Sequence, residues 1–209
     1  MMDPDGNAPR VYTEIQFLGH TFISVGEKGN FTIYTYGRYL GGGKGKSVGG
    51  ATDPIGKGCM IRLVGHDAEA YIKHEKEEMH AKTFIITDIS DEMVSEYFEK
   101  IYSNGRILTT EESEYYDKNK NNFGSSSDVR VIDEYSLFSN NCTTKVNDGL
   151  IELGSKVYDD EEDIPYNPWN PIGSGKQRTR EHIISPLGTQ IYLENKSNQE
   201  NTSVKMETE

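Results

Sequence analysis

The sequence predicts an α+β domain in which a few antiparallel strands support one helix that begins at a cysteine. Three observations lead to this prediction. β-Rich segments separated by turn residues recur between residues 11 and 64. Residues 140–154 have the capping residues and the apolar spacing of a helix. The length of 209 residues suits a single domain with long loops.

The composition limits the kinds of molecule that the protein is expected to bind. The net charge is −12 at pH 7, so we expect neither nucleic acid nor an anionic membrane surface as the main partner. No run of about 18 apolar residues occurs, and we expect no membrane span. Residues 1–10 lack the features of a secretory signal and are predicted to be a disordered lead. The two cysteines, Cys59 and Cys142, indicate a reducing compartment, with a bridge between them as the minor alternative.

A predicted hairpin near the start of the chain carries a histidine. Residues 11–25 are β-rich, and residues 30–36 return as another strand after a turn at residues 27–30. His20 follows Gly19 near the start of one of these strands. A further strand is predicted at residues 58–64, where Cys59 is expected to be a small buried residue.

Two segments that suggest ligand sites receive simpler interpretations. Residues 41–47 (GGGKGKS) miss the spacing of a phosphate-binding loop, because Leu40 stands where the first glycine is required. We expect a loop insertion at about residues 40–57 instead. His74 and His80 lie six residues apart on a charged predicted helix, which does not match the spacing of a zinc-protease helix. The sequence therefore predicts no cofactor and no metal.

A second helix is predicted after a short strand at residues 83–88. Ser90 is its expected N-cap, Asp91 and Glu92 occupy its first turn, and it ends at Asn104 and Gly105. Residues 106–128 read as a polar insertion, after which the chain returns to the core over residues 129–138.

The cysteine helix is predicted from its caps and its apolar stripe. Asn140 and Asn141 are good N-caps, and Gly154 is placed for a C-terminal glycine cap. The stripe has spacings of four and three residues: Val146, Leu150 and Leu153. Cys142 therefore lies in the first turn, where unpaired N–H groups and the helix dipole favour its thiolate form.

The C-terminal part of the chain is predicted to be mostly extended. Residues 159–163 are an acidic run of the solvated kind. Residues 164–172 (IPYNPWNPI) are stiffened by proline, and Trp169 is their natural apolar anchor for a substrate or a partner. Residues 185–193 are expected to add a last strand. The domain then spans residues 11–193, and residues 194–209 form a polar tail.

These residues resemble the permuted papain-like cysteine hydrolases of the NlpC/P60 superfamily, in which the histidine strand precedes the cysteine helix. The resemblance covers residues 12–154. Its matching segments are residues 19–25, 34–39, 83–103 and 140–146. It implies a papain-like antiparallel sheet with the cysteine helix packed against it, Cys142 as the nucleophile and His20 as the general base.

The third catalytic residue departs from the family pattern. Relatives place a polar side chain on the strand after the catalytic histidine, and this strand offers Thr32, Tyr34 and Tyr36. Either one of these hydroxyls, a residue from elsewhere or no third residue orients the imidazole. The backbone N–H of Cys142 is the expected oxyanion donor.

The resemblance implies a thiol hydrolase that cleaves an amide bond in bacterial peptidoglycan peptides. The hydrophilic loops, the acidity and the missing signal are similar to those of type VI secretion effectors. Such antibacterial toxins are made in the cytoplasm, delivered by a secretion machine to the periplasm of a target cell and neutralised by a cognate immunity protein. Two alternatives stay open: an acyltransferase or thioesterase acting on lipid or protein acyl groups, and a non-enzymatic β-rich binding module in which Cys142 and His20 are core residues.

Overall fold

An antiparallel sheet of eight strands forms the centre of the protein and confirms the expected α+β class. The structure is a computed structural model, and it describes residues 8–16, 18–40, 55–119, 124–159, 161–164, 175–178, 183 and 185–207. Across the main sheet the strand order is β10-β5-β1-β2-β3-β4-β7-β6.

The described residues contain ten strands and five α-helices. The strands are β1 (Arg10–Glu14), β2 (His20–Val25), β3 (Thr32–Gly37), β4 (Ile55–Val64), β5 (Lys82–Ile86), β6 (Arg106–Ile107), β7 (Val129–Ser136), β8 (Glu161–Ile164), β9 (Gly175–Arg178) and β10 (Val204–Met206). The helices are α1 (His66–Glu77), α2 (Asp91–Asn104), α3 (Thr110–Asn119), α4 (Cys142–Glu152) and α5 (Pro186–Ser197). β8 and β9 pair only with each other in the described part of the chain.

Apolar side chains cover both faces of the main sheet, because successive residues of a strand point to opposite faces. On the face that we call the α4 face, Ile23 and Tyr34 belong to a buried cluster with residues of α2, α4 and α5. On the opposite face, the α1 face, Tyr12 and Phe22 belong to a second cluster with residues of α1 and α3. The sheet is thus enclosed on both sides, and polar groups on it are withdrawn from water.

The structure confirms the predicted hairpin and the two best-defined helices. β2 and β3 pair antiparallel from Phe22–Thr35 to Val25–Thr32, with the turn where the sequence predicted it. The Ser90 hydroxyl accepts a hydrogen bond from the Met93 N–H at 3.3 Å and caps α2, which ends at Asn104 as expected.

Three polar segments contain secondary structure that the sequence did not predict. The predicted insertion at residues 106–128 contains β6 and α3, and Tyr116 of α3 is buried in the core of the α1 face. Residues 185–193 lie in a helix rather than a last strand, because Ser185 caps it and Pro186 suits its first turn. The predicted polar tail contains the end of α5 and all of β10, which pairs with β5.

Several predicted features lie wholly or partly outside the described residues. Most of the disordered lead, the glycine loop at residues 41–47 and Trp169 are among them. Of the expected insertion at 40–57, residues 55–57 belong to β4. None of the helices that the structure describes is long and apolar enough to cross a membrane. In the same described ranges, no three His, Cys, Asp or Glu side chains are grouped to hold a metal ion.

We predict that β10 contributes to stability through Val204, which is fully buried against the sheet. Val204→Ala removes two buried methyl groups and should lower the free energy of unfolding by about 2 kcal/mol. Met206→Ala on the same strand is the matched control, because Met206 is 41% exposed. Urea unfolding of both variants checks this. Equal effects of the two substitutions would show that β10 is not docked as described.

Candidate active site

The N-terminus of α4 places Cys142 at the first helical position. Asn141 is the N-cap, and its Oδ1 accepts hydrogen bonds from the N–H groups of Thr143 at 2.9 Å and Thr144 at 3.1 Å. The Thr144 hydroxyl accepts one in return from the Asn141 N–H at 2.8 Å, which completes a capping box. The predicted start of the helix is confirmed, and Gly154 follows its end with a φ of +78°.

α4 lies against β2 and β3 through its apolar stripe. Val146 and Leu150 are buried in the cluster of the α4 face together with Ile23 of β2. The helix is also tied to β2 by a hydroxyl pair, Thr143 Oγ1 and Thr21 Oγ1, which are 3.1 Å apart. These contacts bring the start of α4 to the residue that follows His20.

The Cys142 sulfur lies beside backbone N–H groups at this junction. Burial raises the pKa of the thiol above its ordinary value. Hydrogen bonding to the Thr21 amide, to the hydroxyl and amide of Thr143 and to the amide of Cys142 itself lowers the pKa but does not offset burial. The expected stabilisation of the thiolate by the helix start is therefore present, but burial outweighs it. The resting group is a neutral thiol.

A tight turn positions His20 at the start of β2. Gly19 adopts a φ of +74°, and a Cβ at this position would lie 2.8 Å from the Glu14 carbonyl oxygen and 2.9 Å from Pro186 Cβ. Only glycine fits such a turn without strain. His20 is partly buried, and burial lowers the pKa of the imidazole to about 4. His20 is therefore a neutral imidazole at pH 7.

Thr35 of β3 holds the imidazole. Its Oγ1 lies 2.6 Å from His20 Nε2, so Thr35 contacts Nε2 and not the other ring nitrogen, Nδ1. Phe22 is directly opposite Thr35 in the β2–β3 register, so Thr35 and His20 share the α1 face. Sequence analysis missed Thr35, although it lies on the strand where the family pattern expects an orienting residue.

The three residues that the sequence suggested for this role are directed away from His20. The Tyr34 hydroxyl donates to Glu99 at 3.3 Å, and the Tyr36 hydroxyl donates to Asp133 at 2.5 Å. Thr32 pairs with Val25 at the turn end of the hairpin, away from His20. All three are even-numbered residues of β3, so their side chains point to the α4 face, whereas His20 lies on the α1 face.

His20 lies on the α1 face and Cys142 belongs to the helix on the α4 face, and Thr21 is the residue of β2 next to both. β2–β3 pairing ends at Phe22, so His20 and Thr21 extend beyond the last paired residues on the β3 side. The hydroxyl of Tyr39 lies 2.8 Å from Thr35 Oγ1 and interacts electrostatically with Cys142. In the described part of the chain, no hydrogen bond joins the imidazole to the sulfur in this resting arrangement.

A set of interacting polar side chains, which sequence analysis did not identify, extends from Thr35 across the α1 face. The Tyr71 hydroxyl of α1 interacts by side-chain hydrogen bonds with Thr35 and with the Glu75 carboxyl. Glu14 of β1, which lies opposite His20 in the β1–β2 register, is close enough to Glu75 for their charges to interact. The two carboxyl residues are only 5% and 8% exposed. Only the spacing of Tyr71 and Glu75 by one helical turn hinted at this arrangement.

Burial controls the charge of these carboxyl groups. Burial, followed by the nearby Glu14 charge, raises the pKa of Glu75 to about 7, and the hydrogen bond from Tyr71 lowers it only in part. Burial also raises the pKa of Glu14, whose carboxylate accepts the Gln16 N–H at 2.7 Å. Glu75 therefore changes its charge near neutral pH.

Two other features bear on the site. Both cysteines are free, and Cys59 is completely buried in β4, where burial raises its pKa to about 12.

A polar surface pocket lies elsewhere, between the start of the loop after β5 and the end of α5. It is lined in part by Asp88, Lys156 and Lys196 and includes neither Cys142 nor His20.

None of the protein-family models, curated proteins or solved structures compared with this chain matches it.

We predict that Glu75 makes the stability of the fold depend on pH. Its folded-state pKa is raised, so its contribution to stability is fully present below its ordinary pKa of 4.5 and is lost as the pH rises through about 7. Glu75→Gln mimics the protonated form. It should be more stable than the wild type by up to ~3 kcal/mol at pH 8.5 and similar to it at pH 4.5.

Thermal unfolding measured across this pH range checks the prediction. Glu77→Gln on the same helix is the control, because its side chain is 60% exposed and should show no such trend. A stability difference between Glu75→Gln and wild type that does not grow with pH would contradict the assignment.

Proposed function

We propose that the protein is a cysteine hydrolase in which Cys142 attacks an acyl carbon and His20 acts as its general base. The observation that carries the proposal is the 2.6 Å contact between His20 Nε2 and Thr35 Oγ1. The next residue of the strand, Thr21, hydrogen-bonds to the Cys142 sulfur through its backbone amide. A nucleophile at a helix start, an imidazole and a hydroxyl that orients it are the parts of a nucleophilic triad. Thr35 takes the place of the third residue.

The reaction would start from neutral groups. As the substrate carbonyl enters, the thiol proton passes to His20 Nδ1 and the sulfur bonds to the carbonyl carbon. The imidazolium then gives that proton to the leaving amine, and the C–N bond breaks to form a thioester. His20 next removes a proton from water, whose oxygen attacks the thioester carbon. The sulfur leaves and recovers a proton, which releases a carboxylic acid.

Two amides support the charged intermediate in this proposal. The N–H groups of Cys142 and Thr21 both lie beside the sulfur, where the oxyanion of a tetrahedral intermediate would form. The cap does not use the Cys142 amide, since Asn141 Oδ1 accepts from the next two residues. This agrees with the expectation that the backbone of Cys142 supplies an oxyanion donor.

A papain-like fold and a peptidoglycan substrate belong to the same proposal through the resemblance. The order of a histidine strand before a cysteine helix on an antiparallel sheet supports the permuted papain-like arrangement. The amide bond would lie in a bacterial wall peptide, and the protein would act as an antibacterial effector of type VI secretion with a cognate immunity protein. The net charge of −12 favours a neutral or cationic partner over nucleic acid.

A non-enzymatic binding module is the second candidate, and one observation favours it. Cys142 is only 6% exposed, and burial shifts the pKa of both Cys142 and His20 toward their uncharged forms. Ordinary core residues behave in this way. The two candidates differ in the reactivity of Cys142 toward electrophiles.

We expect iodoacetamide at pH 7 to alkylate Cys142 faster than Cys59. Loss of the base in His20→Ala should lower the rate at Cys142 by about 10²-fold, and loss of the orienting hydroxyl in Thr35→Val should lower it by at least about tenfold. Peptide mass spectrometry gives the rate at each cysteine.

Thr32→Val is the matched control for Thr35→Val, because Thr32 lies on the same strand at the turn end of the hairpin. It should alkylate like the wild type. Slow and equal labelling of both cysteines in the wild type would exclude the catalytic proposal and favour the binding module.

Digestion of purified muropeptides tests the substrate. We expect new products whose masses correspond to the addition of one water across a peptide amide, and none with Cys142→Ser. Reactive Cys142 without any such product would rule out the wall-hydrolase proposal and leave the acyltransferase or thioesterase alternative, which acyl thioester substrates would then test.

A further inference from the structure

We infer that the Glu75 carboxyl determines which nitrogen of His20 carries the proton, through the two hydroxyls that lie between them. The path runs from Glu75 to Tyr71, then to Thr35 and on to His20 Nε2. The inference rests on the proposed role of His20 as a base and assigns a positioning residue to the same site. Glu75 itself is on α1, outside the segments that carry the resemblance.

Thr35 is the centre of this path because its hydroxyl has three partners. His20 Nε2 lies at 2.6 Å, the Tyr39 hydroxyl at 2.8 Å, and Tyr71 also hydrogen-bonds to it. A hydroxyl donates one hydrogen and accepts two. All three contacts are satisfied only if Thr35 donates to one partner and accepts from the other two. A phenol is a stronger hydrogen-bond donor than an aliphatic hydroxyl, so we assign Tyr39 as the donor to Thr35 in both arrangements. The choice then lies between His20 and Tyr71.

An ionised Glu75 selects one direction. A carboxylate only accepts, so Tyr71 donates its hydrogen to Glu75 and must accept from Thr35. Thr35 has then used its single hydrogen and can only accept from His20. The imidazole therefore carries its proton on Nε2, and the lone pair of Nδ1 is available to take the thiol proton.

A protonated Glu75 selects the opposite direction. The carboxyl donates to the Tyr71 oxygen, Tyr71 donates to Thr35, and Thr35 donates to His20 Nε2. The imidazole proton then lies on Nδ1, which is the wrong tautomer for a base that must accept a proton there. Reversal of three hydrogen bonds thus switches His20 between a competent and an incompetent form without any change in its charge.

The groups around Glu75 place this switch near neutral pH. Glu14 faces it from β1, Tyr71 from its own helix and Tyr39 from the segment after β3. Burial and the Glu14 charge raise the pKa of Glu75 to about 7, while burial lowers the pKa of His20 to about 4. Between these values the imidazole stays neutral, so only its tautomer changes.

The test is nitrogen-15 NMR of histidine-labelled protein between pH 5.5 and pH 8.5. Two-bond nitrogen–proton correlations distinguish the two neutral tautomers, and comparison with His20→Gln assigns the signals among the five histidines. In the wild type we expect His20 to change from the Nδ1–H to the Nε2–H form with a midpoint at about pH 7. Tyr71→Phe and Glu75→Gln should abolish the pH-dependent change.

Glu14→Gln is the matched control, since it removes a neighbouring buried carboxyl that is not on the path. It should keep the switch but move its midpoint to lower pH, because the Glu14 charge raises the pKa of Glu75. An unchanged His20 tautomer in the wild type overturns the inference. So does a change that persists in Glu75→Gln, which remains informative if Tyr71→Phe fails to fold.

Alkylation of Cys142 by iodoacetamide over the same pH range separates this inference from the proposed function. We expect the wild-type rate to rise through the midpoint of the tautomer change and the Glu75→Gln rate to lack that step. A tautomer change that Glu75→Gln abolishes, together with an unreactive Cys142, supports the role of Glu75 and rejects the hydrolase proposal.

Discussion

The register of β2 between β1 and β3 is the constraint on which the candidate site depends. It places Glu14 opposite His20 on one side and Thr35 opposite Phe22 on the other. Because side chains alternate along a strand, a shift of one residue would turn His20 toward α4 and carry Thr35 away from it. The glycine turn before His20 and the hairpin turn after Val25 set this register. Every contact described for the imidazole follows from it.

Burial decides the charges of the groups in this region. The helix start and several amides favour a thiolate at Cys142, yet enclosure by the sheet and by aromatic side chains has the larger effect on its pKa. The same enclosure keeps His20 neutral and makes the Glu75 carboxyl easy to protonate. A site of this kind transfers protons between neutral groups, and hydrogen-bond direction then matters more than stored charge.

Much of the fold follows from local patterns in the sequence, whereas the polar contacts of the site do not. The Asn141 cap, the stripe at Val146 and Leu150 and the cap at Ser90 are signals within one element, and each was recognisable. Thr35 was not, because its partner His20 lies on another strand and only the register reveals which β3 side chains share its face. Residues 185–193 were expected to form a strand, but Ser185 is an N-cap and Pro186 occupies the first turn of the helix at residues 186–197. Glu75 was not recognised because the many charged residues of its helix suggested a face exposed to solvent.

The two outer strands of the main sheet have a consequence for association between molecules. β6 contains two residues, both exposed, and β10 contains three, of which Lys205 and Met206 are exposed. An exposed strand invites pairing with a strand of another chain in proportion to its length and flatness. The β10 border is short and offers little template for such pairing. The opposite border is longer, because β6 pairs with only Arg130 and Val131 of the eight-residue β7. A strand from another molecule would therefore find its longer template along the second half of β7.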